Sequence, residues 1–168
     1  MVERAAMSLD RLREWHAAQG RGDLFGSKTA RELAVADRVG SIAYSLDMVA
    51  PALPSASGAK NATYDIGFTM PVEGKKKPVP FCQITFQSTF SRWAKKAGRI
   101  PPETVRVYLQ LSKKRCDASP LKDTFQIYDT GRWREEWHYL EISPAFDLES
   151  PAFAAAIEDA YDTLRYQI

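Results

Sequence analysis

The sequence predicts an α+β fold: a mostly antiparallel sheet of four or five strands with helices packed on one face. Two stretches at helical period come first, several short runs of alternating apolar and polar residues follow in close succession, and the chain closes on another amphipathic helix. At 168 residues and 45% hydrophobic, the chain is long enough for a single domain with its own core. Residues 1–55 form its N-terminal helical part, and residues 63–168 its sheet and C-terminal helix.

The elements follow in order. In SLDRLREWHAAQG, Ser8 reads as an N-cap, Leu9, Leu12 and Trp15 stand at helical spacing, and Gly20 is a stop. Ser27 then caps a long helix whose Leu33, Ala36, Val39, Ile42, Ala43, Leu46 and Val49 make a three-four stripe, ended by PALPSASGAKN. The period switches to two in ATYDIGFTM, with Tyr64, Ile66, Phe68 and Met70 on one face, and in PFCQITFQS, with Cys82, Ile84 and Phe86 opposite Gln83, Thr85 and Gln87. EGKKKP between them reads as a hairpin turn. TFSRWAKKAG returns to helical spacing, with Lys95, Lys96 and Arg99 near its C-terminal end.

TVRVYLQL is the cleanest strand, with Val105, Val107, Leu109 and Leu111 on one face and Arg106, Tyr108 and Gln110 on the other. After the polar loop SKKRCDASPLK come Phe125 and Ile127 on a short strand, a turn at DTGR, and a strand that alternates Trp133, Glu135, Trp137, Tyr139 and Glu141 against Arg134, Glu136, His138, Leu140 and Ile142. Ser150 and Pro151 open the last helix, whose Phe153, Ile157, Ala160, Tyr161 and Leu164 should cover the sheet.

The net charge of +2 conceals an asymmetry: Met70–Arg115 holds eleven Lys/Arg against two acids, whereas Cys116–Ile168 holds four against eleven. The basic middle is what a phosphate-bearing or acidic partner would need. No stretch reaches the roughly 20 apolar residues of a membrane span, and the N-terminus has no secretory h-region. With two cysteines and no CxxC pair, a reduced, cytoplasmic protein without metal or cofactor is expected.

From Thr63 to the C-terminus the chain resembles a bacterial domain of unknown function found in predicted transport proteins and beside predicted endonuclease domains. The strand pair, VRVYLQL, YDTGRW ahead of HYLEI, and FDLES before AIEDAYDTL carry the resemblance. It implies an accessory module and supplies no catalytic residues.

Candidate sites follow from charge and aromatic content. Lys75, Lys76 and Lys77, then Lys95, Lys96 and Arg99, then Lys113, Lys114 and Arg115 lie in three separate connections and would form a phosphate-binding patch if at least two converge at one sheet end. Trp133, Trp137 and Tyr139 offer a base-stacking face. Core packing against Phe153, Ile157 and Tyr161 suits them better and is the preferred reading, which leaves His138 on a solvated face. Asp65, Glu73 and Lys75 have the ligand-and-lysine pattern of metal-dependent nucleases, but VEGKKKP reads as a turn and so would not fix them at one metal. His16 and His138 stand beside no nucleophile motif.

The function expected is therefore a small non-catalytic binding or accessory module associated with nucleic acid or a nucleic-acid-processing partner. A protein-interaction or oligomerisation module is the alternative, and a nuclease-like enzyme the second.

Overall fold

In the computed structural model, residues 2–53, 64–89, 100–111, 127–129 and 137–165 are described. Helices α1 (Val2–Ala18) and α2 (Ala30–Tyr44) precede strands β1 (Ala50–Ala52), β2 (Ile66–Met70), β3 (Val79–Thr85), β4 (Val105–Gln110), β5 (Ile127–Asp129) and β6 (Trp137–Ile142). Helix α3 (Pro151–Arg165) ends the described chain. The strands form one sheet in the order β1-β2-β3-β4-β6-β5, and every neighbouring pair is antiparallel. This is the expected α+β arrangement with an additional edge strand. A three-residue APA strand containing a proline carries no periodicity signal, which is why β1 was not anticipated.

One face of the sheet is apolar because its inward residues come into register. Ile66 pairs with Ile84 and Phe68 with Cys82, which in turn meets Leu109; Val107 lies between Ile84 and Leu140, and Val105 pairs with Ile142. These residues join Phe153, Ile157, Ala160 and Tyr161 of α3 and Val35, Val39 and Ile42 of α2 in one core. Ring contacts weld the layers: Tyr44 of α2 meets Phe68 edge-on at 5.7 Å, and Phe81 of β3 meets Tyr161 at 5.6 Å. A register shift between Phe68 and Thr69 accommodates Pro80, which has no amide proton to donate to a regular ladder. Burial pushes the Cys82 thiol well above its usual pKa, as suits a core residue rather than a nucleophile.

The helix ends differ from expectation. The first helix starts at Val2, so Ser8 is internal, and its hydroxyl donates to the Asp37 carbonyl and carboxylate of α2 at 2.9 and 3.1 Å. Gly40 suits the close approach of the two helices there, since a Cβ would stand 3.0 Å from Leu12 Cδ1 and press that side chain aside. Thr29, not Ser27, caps α2: its hydroxyl accepts from the Glu32 amide while the Glu32 carboxylate accepts from the Thr29 amide. That helix ends at Tyr44, which leaves Leu46 and Val49 beyond it.

Two arginines seven apart, and hence on one face of α2, bind the segment between β6 and α3. Arg31 donates to the carbonyls of Ser143 and Phe146 at 2.9 and 2.7 Å, and Arg38 to that of Leu148 at 2.9 Å. No helix among the described residues is long and apolar enough to cross a membrane.

Candidate functional site: the outer sheet face and the lysine turn

Strand β4 alternates buried and half-buried residues along its length, so it has one core face and one outer face. Its outer residues Arg106, Tyr108 and Gln110 pair with Glu141, Tyr139 and Trp137 of β6. Tyr108 also pairs with Gln83 of β3, so one polar and aromatic row crosses β3, β4 and β6. At its far end Gly67 is covered by the Tyr64 ring, whose Cε2 would lie 2.9 Å from an added Cβ. Tyr64 thus packs on the outer face instead of joining Ile66 and Phe68, and its hydroxyl donates to the Leu53 carbonyl at 2.8 Å.

The centre of this row is a compact cluster. The Tyr108 and Tyr139 rings lie 5.2 Å apart with their planes 40° from parallel. The Arg106 guanidinium stands 4.6 Å from the Tyr139 ring centre and 3.4 Å from a Glu141 carboxylate oxygen. The side chains of Arg106 and Glu141 are 15% and 21% exposed, so the pair is largely sheltered from solvent. Burial opposes the Arg106 charge, but hydrogen bonding to Tyr108 and the proximity of Tyr139 and Glu141 outweigh it and raise the guanidinium's pKa.

The preferred core reading of the Tyr139 face is therefore reversed. His138, Leu140 and Ile142 are the buried side of β6, and the half-buried Tyr139 and Glu141 line the outer face. His138 is no solvated residue: it is 5% exposed, with Nδ1 2.7 Å from the Leu111 carbonyl, which fixes the proton on that nitrogen. Bulky Trp and Tyr suggested a core face, but a hydrogen-bonded histidine occupies it at lower volume. Trp137 pairs with Gln110, whereas Trp133 lies outside the described residues.

Of the basic groups, Lys75, Lys76 and Lys77 are exposed in the β2–β3 turn. The turn is closed by the Lys75 amide donating to the Val72 carbonyl at 3.0 Å, with Gly74 at a φ of +83°. Because β3 and β4 are antiparallel, the turn lies at the end of the sheet where Gln110 closes β4. Lys95, Lys96, Arg99, Lys113, Lys114 and Arg115 lie outside the described residues, as does all of the expected helix from Thr89 to Ala97 except Thr89 itself, which ends a 3-10 turn.

The nuclease constellation is not assembled. Asp65 precedes β2 while Glu73 and Lys75 follow it, and at about 3.3 Å per strand residue this puts more than about 17 Å between them. The Asp65 carboxylate instead accepts from the Phe86 amide and the Thr89 hydroxyl, each at 2.8 Å. No group of three His, Cys, Asp or Glu among the described residues is placed to hold a metal ion. His16 is wholly buried between the Trp15 and Phe25 rings, with centroid distances of 4.8 and 5.7 Å, and neither ring nitrogen has a hydrogen-bond partner among the described residues.

No protein-family model, curated protein or solved structure matches the chain.

Proposed function

We propose that the chain is a small binding module without chemistry of its own, which associates with nucleic acid or with a nucleic-acid-processing partner. The observation that carries this reading is the exposed Lys75–Lys77 turn at one end of the sheet. Three adjacent ammonium groups on a tight hairpin form a compact positive end suited to phosphate oxygens, which fix position without reading sequence. The net +9 of Met70–Arg115 supplies a wider field for steering a polyanion. The accessory role accords with the resemblance to a domain found beside predicted endonucleases.

The test is fluorescence anisotropy of labelled oligonucleotides at several salt concentrations, with Lys75→Ala/Lys76→Ala/Lys77→Ala as the comparison. Binding that weakens with salt, with a shallower slope in the triple variant, is the expected result. An unchanged slope removes the lysine turn from the interface.

Association between copies is the second reading, favoured by exposed Glu149 and Glu158 around α3 as counterparts to the lysine turn. Sedimentation at low salt separates the two: a mass above the monomer that falls as salt rises supports association, and a strict monomer opposes it.

A further inference from the structure

We infer that His16 is the catch of an acid-sensitive latch, which seats the connection between α1 and α2 on one end of the sheet near neutral pH and releases it when the ring takes up a proton. The ring is wholly buried, yet neither nitrogen has a hydrogen-bond partner among the described residues. Aromatic rings enclose it instead. Trp15 meets it edge-on at 4.8 Å and Phe25 at 5.7 Å, and Phe25 in turn meets Phe86, just beyond β3, at 6.5 Å. A neutral imidazole is tolerated in that cage, whereas an imidazolium would be a buried charge with two unanswered N–H donors.

The connection is fastened at few points. Gly20 at a φ of +78° turns the chain out of α1, and the Arg21 amide donates back to the His16 carbonyl at 2.8 Å. His16 therefore anchors this segment through its main chain as well as its ring. Farther along, Arg21 Nη1 donates to the Asp65 carbonyl at 3.1 Å, and Lys28 Nζ to the Ser88 hydroxyl at 2.9 Å. Phe25 is the one buried residue between Gln19 and Lys28. A segment with so little buried surface opens at lower cost than the whole fold.

No charge nearby answers a proton on the ring. On α1, Arg13 and Glu14 are exposed; on the connection, Asp23 is exposed and Lys28 lies over the Phe86 ring at 5.0 Å. At the sheet end the Asp65 carboxylate is engaged by the Phe86 amide and the Thr89 hydroxyl. On α2 the Glu32 carboxylate accepts from the Thr29 amide, and that of Asp37 from Ser8 and Leu9. Burial first and the Arg21 charge second lower the ring's pKa from 6.5 to about 4. The released form thus binds its proton near 6.5 and the seated form only near 4, so acid favours release. Between pH 7.5 and pH 5 the release equilibrium should rise about thirtyfold.

The test is amide hydrogen exchange of the full chain at those two pH values, corrected for intrinsic rates, with and without urea below the unfolding transition. The Gly20 and Arg21 amides should lose about thirtyfold in protection at pH 5 regardless of urea, while β4 amides exchange only through urea-dependent global unfolding. In His16→Leu the pH effect at Gly20 and Arg21 should disappear. A persistent thirtyfold loss in that variant, or exchange of Gly20 and Arg21 by the same urea-dependent event as β4, overturns the latch. NMR titration of the His16 ring in the unmodified chain decides the matter even if the variant does not fold. Protonation in step with the loss of Arg21 protection supports the latch, and titration at the ordinary 6.5 with protection intact overturns it.

Discussion

The carboxylate of Asp65 holds the backbone amide of Phe86 at 2.8 Å, and its second oxygen accepts from the Thr89 hydroxyl at the same distance. Asp65 is 7% exposed and Phe86 fully buried, so this residue closes the end of β3, with each carboxylate oxygen engaged by the protein itself. Replacing it with Ala would strand a buried amide, at a cost of about 2 to 3 kcal/mol. Urea unfolding should show a lower midpoint at unchanged slope, and Mg²⁺ should not alter the unfolding of either form.

His16 makes stability depend on pH. Burial, assisted by Arg21, lowers its pKa from 6.5 to about 4, so the unfolded chain takes up the proton first as pH falls. Its contribution is complete above pH 6.5 and is lost progressively toward pH 4, amounting to about 2 kcal/mol at pH 5. Unfolding at pH 7.5 and pH 5 should show a loss that is smaller by about this amount in His16→Leu. Parallel pH dependences in the two proteins would count against the assignment.

Arg31 ties α2 to the segment ahead of α3 through two carbonyls, Ser143 and Phe146. Hydrogen bonds from a charged donor contribute about 1.5 to 3 kcal/mol each, though not additively. Arg31→Ala should therefore cost about 2 to 4 kcal/mol in unfolding free energy, and Arg31→Lys, which lacks the planar fork, should recover only part of it. Full recovery by lysine would show that charge alone, rather than the forked geometry, secures this segment.

Glu141 offsets the Arg106 guanidinium from 3.4 Å away. With Glu141→Gln the outer face gains a net positive charge, so affinity for a polyanion should rise at low salt. The log-log salt slope should steepen by about one, as for one added phosphate contact. An unchanged slope would place bound phosphate away from Arg106.

The parts of this molecule legible in its sequence are those with a single exposed face. Val105, Val107 and Leu109 alternate with Arg106, Tyr108 and Gln110 because β4 has a core side and an outer side, so period two was visible there. In α3 the Phe153, Ile157, Ala160 and Tyr161 stripe was legible for the same reason. The face of β6 was not, because side-chain bulk suggested that Trp and Tyr face the core, whereas His138 enters it with its polar nitrogen bonded to the Leu111 carbonyl. No local pattern reports a partner 27 residues away. The cap of α2 could have been found, since Thr29 and Glu32 stand at capping-box spacing. The Tyr108–Tyr139 cluster emerges only once β4 and β6 are known to be neighbours, a pairing that periodicity within each strand does not specify.

The most direct test of a nucleic-acid interface at the lysine turn is reductive trapping of an oligonucleotide that carries an aldehyde, followed by mass spectrometry of the adducted peptides. Adducts on Lys75, Lys76 or Lys77, suppressed by unlabelled oligonucleotide and by rising salt, are the predicted result. Adducts confined to peptides of α1 or α3, or their absence from an oligonucleotide that binds, would contradict it.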